Sequence, residues 1–134
     1  MVVLIICLFI ACLLPYLAKI PVAIAMKDQA GGYDNQYPRV QQACLNGWGA
    51  RALAAHQNSF ESLIVFSTAI LVAIATSHTG YIIQILALAY LFSRSLYHIL
   101  YLFNWSTLRS IFWAISYLAS LVIIWLCIPF TSIN

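Results

Sequence analysis

The sequence contains few charged residues. Six Lys or Arg and three Asp or Glu make up 7% of its 134 residues, whereas 64% are hydrophobic. Soluble domains carry about 25% charged residues. This scarcity, together with a mean hydropathy of +0.95, excludes an ordinary soluble domain and indicates a membrane protein. We expect membrane lipid, and no nucleic acid, among its partners.

Paired cysteine spacings and a histidine ligand motif are also missing. The four cysteines are scattered, and three lie in apolar segments, where cysteine behaves as a small hydrophobic residue. His56, His78 and His98 match no metal-ligand spacing. A disulfide framework is therefore excluded and a metal site is disfavoured. Because no internal repeat or second domain is visible, we treat residues 1–134 as one membrane domain.

What the sequence does contain is four long apolar runs, each near the ~20 residues that span a bilayer as a helix. They predict an all-α, four-transmembrane-helix, up-down bundle with helices at about residues 1–26, 47–76, 80–103 and 107–130. The first run ends in a segment similar to a signal-peptide cleavage site, but no basic residue precedes it. We interpret it as a retained helix, kinked or shortened by Pro15 and Pro21.

The basic residues are distributed asymmetrically across the predicted membrane. In an up-down bundle the first and third connections, residues 27–46 and 104–107, share one side. All six Lys and Arg fall in or towards these connections: Lys19, Lys27, Arg39, Arg51, Arg94 and Arg109. By the positive-inside rule, both connections face the cytoplasm. Topology alone does not explain Arg94 or Glu61, which lie well inside apolar helices.

Buried charges of this kind need partners, because an isolated charge near the middle of a membrane helix costs about 2.5 to 3.5 kcal/mol. We predict that Glu61 and Arg94 partner each other. Asn58 precedes Glu61 by three residues and follows Arg51 by seven, so these residues share one side of the second helix. Arg94, Tyr97, His98 and Tyr101 form a second polar stripe on the third helix.

Three helices thus direct polar or cationic groups to one layer, with Arg109 opening the fourth helix at that level. The excess of cations favours a polar, anionic ligand. For any single residue, an interhelical hydrogen bond is the simpler interpretation. The coplanar set as a whole favours a binding site. We interpret Trp48, Trp105 and Trp113 as interfacial or packing residues.

Several motifs resemble the MAPEG family, the membrane-associated proteins of eicosanoid and glutathione metabolism. YDNQYPR at 33–39, followed by GWGARALAAHQNSFES at 47–62, resembles the loop and second helix of bacterial members. RSLYHILY at 94–101 and LRS at 108–110 resemble the family's third-helix and fourth-helix series. The resemblance covers the whole chain and implies a homotrimer of four-helix subunits in a bacterial inner membrane.

The resemblance also implies a ligand and the residues that hold it. Glutathione would be a co-substrate, bound between subunits, while a lipophilic second substrate would enter from the bilayer. Arg109 matches the arginine that faces the sulfur, the implied catalytic residue. The implied glutathione-binding residues are His56, Asn58, Glu61, Arg94, Tyr97 and Tyr101, and we add Arg51 to them from its position on the second helix. The implied reaction is transfer of glutathione to a lipophilic electrophile, or reduction of a lipid hydroperoxide.

The sequence departs from the family pattern at two positions. Ala54 occupies a position where several members carry an arginine that contacts glutathione, and Ser62 replaces a tyrosine of one branch. Arg51, one turn before Ala54 and Ala55, could supply the missing charge or bind lipid phosphates. The alternative function is a non-catalytic, lipid-binding or scaffolding trimer, which the resemblance also allows because the family includes a non-enzymatic member that presents arachidonate. A transporter or channel ranks last, because residues 65–76 offer almost no polar group to continue a path.

Overall fold

The computed structural model of the protein describes residues 1–128, and within them the chain is helical. Its elements are α1 (Val2–Lys27), α2 (Pro38–Ala43), α3 (Gly47–Ala75), α4 (Tyr81–Leu102) and α5 (Ser106–Leu126). Four of them, α1, α3, α4 and α5, are long and apolar enough to cross a membrane. The predicted all-α bundle of four transmembrane helices is thus confirmed.

Three details differ from the prediction. The first loop contains the short helix α2, which begins at Pro38 because proline fits the first turn of a helix. Helix α1 is not shortened by its prolines, since it continues through Pro15 and Pro21 to Lys27. Helix α5 ends at Leu126, four residues before the predicted end at residue 130, which lies outside the described part of the chain.

Helix α3 occupies the centre of the bundle and packs against all four other helices. On one side it packs extensively against α1. On the other side it packs against α4 and α5, which also pack extensively against each other. Because α3 is central, its two sides face different neighbours. Residues only two positions apart on α3 can therefore belong to different sites.

One half of the bundle has an apolar core. Small residues at the crossings, such as Ala69, Ala73 and Ala87, are fully buried and let the backbones approach closely. The Phe66 and Tyr90 rings stack between α3 and α4, with centroids 3.7 Å apart. The buried cluster also includes Leu4, Cys7, Ala11, Ile70, Ile83, Ala119, Ile123 and Cys127. Polar side chains gather instead towards the other end, where α1 and α4 end and α3 and α5 begin; we call this the loop end.

The loop between α1 and α3 is tied to the bundle by Gln41 of α2. The Gln41 amide nitrogen donates to the carbonyl oxygens of Met26 at 3.1 Å and Gly32 at 2.7 Å. Its amide oxygen accepts a hydrogen bond from the Asp34 backbone at 2.9 Å. These three bonds connect the end of α1, the loop and α2, so the loop has a defined path over the loop end.

Candidate functional site

Arg94 of α4 is the most deeply buried charged residue of the described chain, with 1% of its surface exposed. One guanidinium nitrogen donates to both the backbone oxygen of Asn58, at 3.1 Å, and its side-chain oxygen, at 3.0 Å. The guanidinium also lies 4.3 Å from the centre of the Tyr97 ring. Its Nη1 atom has no hydrogen-bond partner within residues 1–128. Arg94 lines neither of the two cavities described below, so it bears on a ligand there through Asn58 and not by direct contact.

Asn58 connects Arg94 to Glu61. Its side-chain oxygen faces Arg94, while its nitrogen donates to Glu61 Oε2 at 2.8 Å. The predicted partnership of Glu61 and Arg94 is therefore indirect, through a polar chain that we call the Arg94–Asn58–Glu61 chain. Glu61, at its end, is exposed. Its carboxylate is thus positioned by the chain and remains accessible to a cationic group of a ligand.

Aromatic rings extend this arrangement towards α5. Tyr97 and Tyr101 lie one turn apart on α4 and pack edge to face, with centroids 5.4 Å apart. The Arg109 guanidinium of α5 lies 4.1 Å from the centre of the Tyr101 ring. This cation–π contact, worth about 0.5 to 2 kcal/mol, holds the Arg109 side chain against α4. Arg109 is partly exposed and can therefore reach a ligand.

Two cavities adjoin at these residues. The first, of about 200 Å³ and here called the arginine cavity, is lined by Asn58, Tyr97, Tyr101, Arg109, Ser110 and Trp113. The second, of about 210 Å³ and here called the serine cavity, is lined by Asn58, Glu61, Ser62, Val65, Trp113, Ser116 and Tyr117. Each is smaller than the ~300 to 1,000 Å³ of typical small-molecule sites. A ligand of tripeptide size would therefore need both cavities or a contribution from outside the chain.

The structure brings six of the eight predicted site residues together: Asn58, Glu61, Arg94, Tyr97, Tyr101 and Arg109. The remaining two lie elsewhere. Arg51 donates a long hydrogen bond of 3.5 Å to the backbone oxygen of Leu102, and its buried Nε has no partner within the described chain. Arg51 thus contacts the end of α4 and lines neither cavity.

His56 faces α1 on the other side of α3. Its Nδ1 donates to the Pro15 carbonyl oxygen at 2.9 Å, because a carbonyl can only accept. His56 lines a third cavity of about 610 Å³, here called the α1–α3 cavity. Its polar lining includes Tyr16, Lys19, Tyr33, Arg39, Gln42 and Gln57. Within one chain, His56 and Asn58 therefore belong to different cavities, although two positions separate them.

Trp113 has a larger part in the site than its interpretation as a packing residue suggests. It lines both the arginine cavity and the serine cavity. Its spacing of four from Arg109 was the available sequence signal, because residues four apart lie on one side of a helix. Ser62 was likewise not predicted as a site residue and was noted only because it departs from the family pattern. Its hydroxyl lies 2.9 Å from the Tyr90 hydroxyl and lines the serine cavity.

His98, which belongs to the predicted polar stripe on α4, lies outside the two cavities of the site. Ser59 donates to the Ala55 carbonyl at 2.9 Å, so its oxygen accepts from His98 Nε2 at 3.1 Å. His98 thus joins α4 to α3, and it lines neither the arginine cavity nor the serine cavity. Within residues 1–128, no group of three His, Cys, Asp or Glu side chains could hold a metal ion.

Comparison with models of protein families matches this chain to the MAPEG family over residues 3–129. Comparisons with curated proteins and with solved structures gave no match. The family match covers almost the whole chain and, apart from Val2 of α1, includes every helix described above. The chain therefore belongs to the MAPEG family and is an integral, multi-pass membrane protein.

Proposed function

We propose that the protein is a glutathione-dependent membrane enzyme that transfers glutathione to lipophilic electrophiles or reduces lipid hydroperoxides. One observation carries the proposal: Arg109 lines a cavity with Tyr97, Tyr101 and Asn58, and Asn58 is hydrogen-bonded to both Arg94 and Glu61. Cations, hydroxyl donors and one exposed carboxylate suit the carboxylates, amides and ammonium of the tripeptide. Membership of the MAPEG family supports the same reaction class.

The role proposed for Arg109 is to stabilise the thiolate of glutathione. A free thiol has a pKa near 8.5, and the thiolate is the nucleophile. Each unit by which the pKa falls requires about 1.4 kcal/mol of preferential interaction with the anion. A partly buried guanidinium supplies such an interaction, because its charge is less screened than in water.

The transfer reaction then requires no further ionised group. The thiolate sulfur forms a bond to the electrophilic carbon, and the leaving group departs with the bonding electrons. With a hydroperoxide, the sulfur attacks the terminal oxygen and the O–O bond breaks. The alkoxide takes a proton to give an alcohol, and a second glutathione converts the sulfenic acid to a disulfide and water.

A homotrimer is part of the proposal because one chain presents two incomplete polar faces. The Arg94–Asn58–Glu61 chain lies on one side of α3, whereas Lys19, Arg39 and His56 line the α1–α3 cavity. In a cyclic assembly, one face of each subunit meets a different face of its neighbour. The α1–α3 cavity would then add cations beside the arginine cavity of the adjacent subunit, completing a tripeptide-sized site with His56 included.

The proposed membrane orientation places residues 27–46 and 104–107 in the cytoplasm. Lys27 and Arg39 lie at this end, and Arg109 lies in the first turn of α5, which follows the second of these connections. Glutathione would enter from this side, and the lipophilic substrate from the bilayer. We propose a bacterial inner membrane as the location, on the resemblance of the loop motif.

Titration of purified protein with glutathione tests the proposal. Saturable binding, together with conjugation to a small electrophile, is the expected result. The alternative function is a non-catalytic, lipid-binding trimer. Two points favour that alternative: Ala54 lacks the charge that the family resemblance implies at its position, and the cavities of one chain are small. Absence of saturable glutathione binding in an intact trimer would favour the scaffold.

A further inference from the structure

The hydroxyl group of Ser62 is hydrogen-bonded differently from most hydroxyls on the long helices. Several of these hydroxyls donate to the backbone carbonyl four residues earlier in the same helix, namely those of Ser59, Ser67, Thr68, Ser95, Ser110 and Ser120. Ser62 makes no such bond. Within residues 1–128, its side-chain partner is the hydroxyl of Tyr90 on α4, at 2.9 Å.

The reason is that another donor uses the carbonyl that Ser62 would need. That carbonyl belongs to Asn58, and it has two lone pairs. The backbone N–H of residue 62 takes one of them as part of the helix. Arg94 takes the other, since its Nη2 atom donates to the Asn58 backbone oxygen at 3.1 Å. The Ser62 hydroxyl is therefore free to turn towards Tyr90.

Tyr90 is the donor in its hydrogen bond with Ser62. The Tyr90 side chain is 2% exposed and stacks on Phe66, so its hydroxyl has a fixed position. A buried hydroxyl proton needs an acceptor, and Ser62 is the hydrogen-bond partner of the Tyr90 hydroxyl in the described part of the chain. Ser62 thus accepts from Tyr90 and keeps its own proton for another acceptor. Accepting this bond also makes Ser62 a stronger donor.

The proton of Ser62 is available to the serine cavity, which Ser62 lines. Ser62 follows Asn58 by four residues, so it lies about 6 Å further from the loop end on the same side of α3. Asn58 and Trp113 line both cavities, so the serine cavity continues from the arginine cavity. A substrate in the serine cavity would therefore have a sulfur held at Arg109 on one side and the Ser62 donor on the other.

From these contacts we infer that Ser62 is a catalytic residue that donates a hydrogen bond to the leaving oxygen of hydroperoxide substrates, and that Tyr90 is its positioning residue. The inference rests on the proposed glutathione-dependent function. The thiolate sulfur bonds to the terminal oxygen, the O–O bond breaks, and the electron pair passes to the oxygen that stays on the lipid. Ser62 stabilises the charge that develops there.

The reaction is balanced with Ser62 remaining a neutral hydroxyl. The alkoxide takes a proton from solvent, which replaces the proton that the thiol released. A second glutathione then reduces the sulfenic acid, giving the disulfide and water. A substrate that loses a halide has no leaving oxygen, so it gains nothing from the Ser62 donor at this step.

The test compares cumene hydroperoxide with 1-chloro-2,4-dinitrobenzene in wild-type protein and its variants. Ser62→Ala should lower kcat/KM for the hydroperoxide about tenfold or more relative to the chloride, because a hydrogen bond to a charged oxygen is lost. Ser62→Thr keeps the hydroxyl and should retain most of the wild-type ratio. Ser67→Ala removes a hydroxyl from the same helix that lines neither cavity, and should leave the ratio unchanged.

Tyr90→Phe tests the positioning role. It keeps the ring beside Phe66 but removes the donor that holds Ser62, so the hydroperoxide reaction should again slow relative to the chloride, about three- to tenfold. Because Tyr90 acts through Ser62, adding Tyr90→Phe to Ser62→Ala should lower the ratio no further. A multiplicative loss in the double variant would contradict this role, since independent effects add in free energy.

Glutathione titration of the same samples separates two kinds of failure. If wild-type protein does not bind glutathione, or binds it and neither substrate reacts, the proposed function fails, and the inference fails with it. If only the chloride reacts, or if Ser62→Ala keeps the wild-type ratio, the inference alone is overturned. If Ser62→Ala does not fold, the double variant replaces it, because removing both partners leaves no buried hydroxyl unsatisfied. The double variant must then show the same loss, and Tyr90→Phe alone decides if it does not fold either.

Discussion

The side chain of Asn58 stands between Arg94 and Glu61, accepting from the first at 3.0 Å and donating to the second at 2.8 Å. A carboxamide serves this position because it has an acceptor and a donor at one end. The buried guanidinium is thereby satisfied in part, and the exposed carboxylate is held in place. The geometry of the proposed glutathione site depends on this one amide.

Replacing Asn58 with Ala should therefore destabilise the protein even without glutathione. The change leaves a buried guanidinium with the backbone oxygen of residue 58 as its remaining partner, at a cost of about 1 to 3 kcal/mol. Thermal unfolding in detergent measures the effect. Glu61→Gln is the control, because it keeps an oxygen acceptor for Asn58 at an exposed position. An Asn58→Ala midpoint equal to that of Glu61→Gln would show that the polar chain contributes no stability.

Gln41→Ala should loosen the loop between α1 and α3. The substitution removes the bonds to Met26 and Gly32 and the acceptor for Asp34. Losing three partly buried hydrogen bonds should increase local opening at least tenfold, since each contributes about 0.5 to 1.5 kcal/mol. Tryptic cleavage at Lys27 and Arg39 reports this opening. Gln36→Ala is the control, because Gln36 contributes only its backbone nitrogen to the described hydrogen bonds. Equal cleavage rates would contradict the role given to Gln41.

Replacing Gly49 with Ala, which adds a methyl group between α1 and α3, should destabilise the bundle. A Cβ at Gly49 would lie 2.9 Å from Cβ of Ala25 and 3.2 Å from Cδ2 of Leu45, so α1 and α3 would have to separate. Overpacking of this kind costs about 1 to 3 kcal/mol. Gly80→Ala is the matched control, because a Cβ there meets no atom within 4 Å. Unfolding midpoints of the two variants should differ, and similar midpoints would mean that the two helices tolerate the added methyl group.

Part of the fold and part of the site could be predicted from the sequence alone. The four apolar runs predicted the transmembrane helices, because bilayer thickness sets their length and composition. Helix α2 was missed because six residues are too few to show a helical period. The Arg94 and Glu61 stripes were placed on the correct helices, but spacing within one helix does not give distances between helices. The insertion of Asn58 between the two charges therefore required the structure.

The same limit applies to His56 and Trp113. The family pattern groups His56 with Asn58, yet two positions on a helix turn a side chain through about 200°. Because α3 is central, the side of α3 that carries His56 packs against α1. Trp113 was interpreted from the general preference of tryptophan for membrane interfaces. Its contact with two cavities depends on how α5 packs on α3 and α4, which the composition of α5 does not encode.

The pH dependence of conjugation should reflect Arg109. If its guanidinium favours the thiolate, the pKa of the bound glutathione thiol falls below about 8.5, and kcat rises through this lower pH and then levels off. Arg109→Ala should move the rise about one to two pH units upward. Arg109→Lys retains the positive charge and should move it less. Superimposable profiles of wild type and Arg109→Ala would remove the thiolate-stabilising role.

The central claim is tested most directly by measuring, in Arg109→Ala and wild type, both the Kd of glutathione and kcat for its conjugation. Stabilisation of a thiolate predicts that kcat falls at least tenfold, while Kd for glutathione changes by no more than about threefold at a pH below the pKa of both the free and the bound thiol. Equal losses would make Arg109 a binding residue. An unchanged kcat, with normal glutathione affinity, would contradict the account.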